Sequence, residues 1–261
     1  MHVTRLHRVG RARRARVSVL FPALLLAPLA AQAPEPARAR FDVGVGFAGG
    51  TFEHRTDASA RDDRTSGALL LLHGEATTAG GFGGGLRLES LVSDDDLFAG
   101  TGSNEVEANQ GTLFVHLTWR LQTERFVLPI RAGLLLDDYQ LADQVTDLEL
   151  DHLSAGGYFE LAPSFTLAAN DTLRWSLFAT AGAGIAATTI DPDGDDEDYD
   201  ASTTRYGLEV GTRVAFGRFE LGVSGLGRWQ SMGESDPENG TTIAGYDTEF
   251  VGVMVRGGIT F

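Results

Sequence analysis

The sequence predicts an all-β protein: a transmembrane antiparallel up-and-down β-barrel of about ten strands, with eight or twelve as the alternatives. Three observations lead there. Apolar residues recur at every second position from Phe41 onward, polar connections alternate between short and long, and no apolar run after residue 33 approaches the roughly 18 residues a spanning helix needs. A chain of 261 residues suffices for one core, and its 33 glycines suit sheet better than helix.

The first strand shows the alternation directly, with Phe41, Val43, Val45 and Phe47 separated by Asp42, Gly44 and Gly46. A period of two places these sets on opposite faces of a sheet. The same test puts strand two near 67 to 78, strand three near 82 to 92, strand four around Leu113, Val115, Leu117 and Trp119, and strand five near 126 to 136. Strand six, about 153 to 167, sets Leu153, Ala155, Gly157, Phe159 and Leu161 against Ser154, Tyr158 and Glu160. Pro163 within it removes a ladder donor and predicts a bulge or break. Strands seven to ten follow near 172 to 189, 204 to 216, 219 to 230 and 248 to 261.

Short links (79 to 81, 122 to 125, 168 to 171, 217 to 218) take turns with longer polar ones (54 to 66, 93 to 109, 137 to 152, 190 to 203, 231 to 247). Short periplasmic turns and longer outer loops produce this rhythm. Alternation alone also fits a soluble lipocalin-like barrel, in which the apolar face would line the core. The aromatic residues decide for lipid: Phe41, Phe82, Trp119, Phe126, Phe165, Trp175, Phe216, Phe219 and Phe261 gather at the short-turn ends, and Phe47, Tyr206 and Trp229 form a sparser ring at the other. The opposite face must then look into a narrow, polar, watery lumen. It carries His73, Glu75, Arg87, Glu89, His116, Arg120, Arg131, Glu160, Arg174, Arg205, Glu209, Arg213, Glu220, Arg228 and Arg256.

Ahead of the barrel, six arginines between Arg5 and Arg16 precede the apolar stretch 17 to 30, which reads as an export signal over 1–33. Cleavage is expected after Ala33 or Ala31, leaving a short periplasmic segment, 34–40, and a barrel, 41–261. Losing those arginines takes the formal charge from −15 to −21, so nucleic acid is not an expected partner. With no cysteine there is no lipid anchor, disulfide or thiol chemistry, and no phosphate loop, dinucleotide fingerprint or zinc motif appears. No cofactor and no metal are expected.

The last ten residues, GVMVRGGITF, resemble the terminal strand of Gram-negative outer-membrane β-barrel proteins, with Val253, Val255, Gly257, Ile259 and Phe261 at the alternate positions. That resemblance implies residence in the outer membrane, contact with its lipid and lipopolysaccharide, and recognition of the final strand by the barrel-assembly machinery.

Three segments are candidates for chemistry. Asp191, Asp193 and Asp195 have the spacing of calcium ligands, but Asp196 and Ser202 stand where an EF-hand loop wants Gly and Glu, so a solvated acidic loop is preferred. His152-Leu153-Ser154 resembles the His-x-Ser pair of outer-membrane lipid A deacylases, although Ala155 replaces that family's Asn. Ten strands with acidic outer loops resemble the omptin proteases, and His54 near Asp57 or His152 near Asp151 would supply an Asp-His pair; the outer loops here are shorter than that family's raised walls. The leading expectation is a small non-enzymatic barrel with a structural or loop-mediated binding role. A narrow porin-like channel favouring anions is the alternative.

Overall fold

The backbone N–H and C=O groups of strands that cross lipid need partners on both edges, and the chain meets that demand by closing on itself. The structure is a computed structural model describing residues 39–56, 62–94, 106–143, 148–192, 198–238 and 240–261; the expected signal segment and Asp57 lie outside them. Eleven strands follow in order: β1 (Arg40–Thr56), β2 (Asp62–Thr77), β3 (Phe82–Ser93), β4 (Val106–Gln122), β5 (Phe126–Asp143), β6 (Leu148–Leu161), β7 (Ser164–Ala169), β8 (Leu173–Pro192), β9 (Tyr199–Phe216), β10 (Phe219–Met232) and β11 (Tyr246–Thr260). Each pairs antiparallel with its neighbour, β1 pairs with β11, and β4 pairs with β5.

Both β6 and β7 lie between β5 and β8, so they are two pieces of one stave and the barrel has ten. The break falls at Ala162 and Pro163, where proline cannot donate to the ladder. Neighbouring staves stitch the gap, since Ala162 N donates to Pro129 O at 3.0 Å and Ala179 N donates to Pro163 O at 2.9 Å. At the short-turn end, Gly217 takes a φ of 60° in the two-residue link joining Phe216 to Phe219, a conformation that suits glycine.

On the long-loop side the strands run further than the sequence suggests. β1 continues to Thr56 and β2 begins at Asp62, and β5 continues to Asp143 with β6 starting at Leu148. The barrel wall therefore rises past the apolar belt, contrary to the expectation that loops alone occupy this level. The reason is a change in the pattern: above Phe47 the outward residues are Thr51, Glu53 and Arg55 while Phe52 points inward, and above Leu136 the outward Asp138 alternates with the inward Tyr139. Apolar-outward alternation ends at the lipid boundary, but hydrogen-bonded pairing continues.

The outer surface below that boundary is predominantly apolar, with Ser90 and Thr212 among its few outward polar residues. Leu117, Ile185 and Leu134 are 76%, 71% and 69% exposed, and Phe41, Phe82, Trp119, Phe165, Trp175, Phe216, Phe219 and Phe261 stand outward at the short-turn end. An apolar surface encircling the molecule, with its charged residues inside, is stable in lipid and not in water. Replacing Leu134 by Arg should cost about 2–4 kcal/mol in denaturant unfolding from lipid vesicles, against roughly 0–1 for Thr51→Arg above the belt. Equal costs at the two positions would contradict a lipid-facing wall.

Candidate functional site

Ten staves enclose little space, and large polar side chains fill it. All the residues expected to face the lumen have inward parity: Glu75, Glu89, His116, Glu160, Arg205, Glu209 and Arg228 are buried, and Arg174 is exposed at the short-turn mouth. Room for rings comes from inward glycines. The imidazole of His73 lies where a Cβ on Gly44 would be, His116 lies over Gly85, and the Tyr158 ring rests across Gly182, Gly184 and Gly207.

The carboxylates and guanidiniums then pair across the lumen. Arg131 on β5 reaches Glu75 on β2 at 2.7 Å and Glu160 on β6 at 2.7 Å. Glu160 also holds Arg87 of β3, which lies 3.3 Å from Glu89 on its own strand. Glu89 receives two bonds from Arg228 of β10, at 2.8 and 3.1 Å, and lies 3.6 Å from Arg205 of β9. His116 Nε2 and the Thr118 hydroxyl complete Glu75 at 3.3 and 3.1 Å, and Arg256 pairs with Glu209. The Arg87 guanidinium also stacks 5.3 Å over the Phe114 ring. A buried charge stripped of its partner is costly, so each of these residues constrains the staves that carry the others.

Above this layer lie residues that sequence reasoning assigned to loops or did not place. Asp137 accepts from Thr112 Oγ1 at 2.6 Å, from Gln110 Nε2 at 3.0 Å and from Arg205. Gln110 of β4 also bonds directly to Gln230 of β10, and these strands are five staves apart in either direction around the ring. Gln230 Nε2 lies 3.4 Å from the Tyr246 hydroxyl, which lies 2.9 Å from His152 Nδ1, and the Tyr139 hydroxyl lies 2.8 Å from His54 Nδ1. The four rings of His54, Tyr139, His152 and Tyr246 pack with centroids 5.0–6.0 Å apart.

These four positions lie beyond the last outward apolar residue of their strands, Phe47, Leu136, Leu153 and Val251. Burial holds both imidazoles down at about 4, with His152 adding a repulsion at His54, and raises the phenols of Tyr139 and Tyr246. Around them Phe52, Leu69, Leu71, Leu91, Ile190, Leu226, Met232, Phe250 and Met254 form a buried apolar cluster. The expectation of a uniformly polar, watery lumen is therefore corrected: the interior is charged toward the short turns and apolar and aromatic toward the loops. The run Leu69 to Leu72, apolar at both parities, was the sequence signal for it.

The candidate catalytic pairs are not brought together. Ser154 and His152 both face inward, yet Ser154 Oγ bonds to Thr188 Oγ1 at 2.8 Å and His152 Nδ1 to Tyr246. Asp151 and His152 point to opposite faces of β6, and Asp57 is outside the described residues. Of the acidic segment 191 to 200, residues 193–197 are likewise outside them. Among the described residues no group of three or more His, Asp or Glu side chains is placed to hold a metal ion.

Several solved structures share the architecture. The outer membrane protease OmpT from Escherichia coli superposes with a TM-score of 0.53 at 13% identity, over 89% of this chain and 99% of that one. The β domain of the Bordetella autotransporter BrkA gives 0.38 at 14% identity, over 86% and 99% of the two chains, and Neisserial surface protein A gives 0.34 at 9%, over 85% and 97%. At these identities the likeness is one of fold alone, carried by the first of the three. No protein-family model and no curated protein matches the sequence.

Two outcomes follow from the interior. Glu89→Gln removes the charge that Arg87, Arg205 and Arg228 share, and should destabilise the barrel by about 3–5 kcal/mol in denaturant unfolding; a change under about 1 kcal/mol would show that the network is not structural. For His152, a folded pKa of about 4 against 6.5 unfolded means that the unfolded chain binds the extra proton between those values. Stability should thus be full above pH 6.5 and fall as the pH drops toward 4. His152→Gln should have the shallower acid slope, and parallel profiles would refute the assignment.

Proposed function

We propose that this chain is a sealed, non-enzymatic barrel of the Gram-negative outer membrane, acting structurally or through binding by its outer loops. One observation carries the reading: Gln110 and Gln230, on diametrically opposed staves, meet in the centre of the lumen. Below them the paired arginines and glutamates fill the cross-section, and above them the aromatic quartet and its apolar surround do the same. A filled interior leaves the lipid-facing wall and the loops as the working surfaces.

The location rests on the encircling apolar belt, whose surface requires lipid, and on a β-barrel being the form that strands take within it. The partners in this reading are lipopolysaccharide around the outer rim and the barrel-assembly machinery, the latter through Val253, Val255, Ile259 and Phe261, which share the outward face of β11. Against Ser154 and His152 acting as a catalytic pair stands their bonding to different neighbours, the Ser154 hydroxyl to Thr188 and His152 Nδ1 to Tyr246.

A channel reading has one observation in its favour: Arg40, Arg120, Arg174 and Arg213 stand at the short-turn mouth with Asp42 and Glu220, a surplus of cations that would admit anions. Planar-bilayer recording of the folded protein separates the two. Silence across a range of salt concentrations is expected for the sealed barrel. Discrete conductance steps that scale with salt and reverse at an anion-selective potential would replace that reading with the channel.

A further inference from the structure

The wall between β2 and β6 is not evenly covered on its lipid side. Successive cross-strand partners Leu70, Ser90, Gly111, Asp138 and Leu153 form one outward row, and Leu72, Leu88, Leu113, Leu136 and Ala155 form the row beneath it. The lower row is leucine for four positions. The upper row drops from Leu70 to a hydroxymethyl, then to a bare backbone, then to a carboxylate, before Leu153 restores the height. The result is a depression of about 410 Å³, lined by those leucines with Ser90 and Gly111 at its floor. That volume falls in the range of small-molecule sites, about 300–1,000 Å³.

Asp138 gives the depression its chemistry. Its side chain is exposed, points outward, and pairs with no side chain among the described residues. It is the first polar outward residue of β5 above Leu136, which places a carboxylate where hydrocarbon gives way to headgroups. An anionic headgroup is repelled there and a cation is attracted, with little screening on the apolar side.

We propose that this depression is a binding site for an outer-leaflet lipid whose headgroup bears a primary ammonium. The ammonium sits on the Asp138 carboxylate, the Ser90 hydroxyl takes a second polar contact, and an acyl chain lies over Gly111 between Leu70, Leu88, Leu113 and Leu153. Gly111 is what makes room for the chain: no atom lies within 4 Å of where its Cβ would be, and its backbone is ordinary extended strand. A side chain there fills the site without disturbing the wall. Gly225, outward on β10 and equally open, is the matched position away from the site.

The test is native mass spectrometry of the full chain folded in detergent, with dipalmitoyl phosphatidylethanolamine or dipalmitoyl phosphatidylglycerol added. The wild type should hold the ethanolamine lipid about tenfold more tightly than the glycerol lipid, a difference of about 1.4 kcal/mol. Asp138→Asn should bring the two within about twofold while retaining chain binding, and Gly111→Leu should lose about tenfold for both relative to Gly225→Leu. Equal binding of the two lipids by the wild type, or identical behaviour of Gly111→Leu and Gly225→Leu, overturns the proposal. Loss of binding in Gly225→Leu as well would also overturn it, because the lipid would then be held around the whole belt rather than at this site.

Discussion

Everything in this barrel hangs on the pairing of charges that have been taken out of water together. Glu75, Glu89 and Glu160 are buried, and each is held by arginines from other staves: Arg131 for Glu75, Arg228 and Arg205 for Glu89, Arg131 and Arg87 for Glu160. A single such pair would contribute little over an apolar substitute, but removing one partner leaves a buried charge without compensation. The network consequently specifies more than it stabilises. β3, β5, β6, β9 and β10 cannot shift register relative to one another without separating a carboxylate from its guanidinium, and a shift of one residue would turn every charge outward into lipid.

The two layers of the interior divide the work. Where the wall crosses lipid, the outside is apolar and the inside can be polar, which is the inversion of a soluble protein. Where the wall rises above lipid, the outside meets water and the inside reverts to the soluble arrangement, with Phe52, Ile190, Met232 and Phe250 forming an ordinary apolar core. The membrane boundary is thus written on both surfaces of the same strands. On β1, Thr56 lies nine positions beyond Phe47, which at strand rise and barrel tilt is on the order of 20 Å of wall above the belt.

The sequence revealed the membrane-crossing part because outward Phe, Leu and Val alternate there against Arg and Glu, as in Leu113 to Arg120. It also exposed the break at Pro163, since proline's missing donor is a local property. The continuation of the wall was harder to read. Tyr139, His152 and Tyr246 stand among Asp and Gln residues, and aromatic side chains separated by aspartates look like a loop unless the inward direction is already known. The interior network was legible as a list of residues with one parity but not as a set of pairs, because partners such as Glu89 and Arg228 are 139 positions apart. Asp137, which anchors the crossing of Gln110 and Gln230, was hidden by its place at a strand-to-loop boundary.

The proposed sealing of the lumen has a consequence for where specificity can reside. A barrel that conducts must leave its interior incompletely packed, and one that catalyses must leave a nucleophile or base unpaired. Here Ser154 and Asp137 are bonded to neighbours, His152 is bonded through Nδ1 while its buried Nε2 has no hydrogen-bond partner among the described residues, and glycines at 44, 85, 182, 184 and 207 let rings settle against the wall. Inside, His116 Nδ1, Arg120 Nε and His152 Nε2 are buried without a hydrogen-bond partner among the described residues, and on the outside the Asp138 carboxylate over the Gly111 depression has no side-chain partner among them. In the sealed barrel proposed above, selectivity falls to the lipid-facing wall and to the rim. The rigidity of the interior is then what makes a shallow external depression selective, since a wall free to repack would close over Gly111.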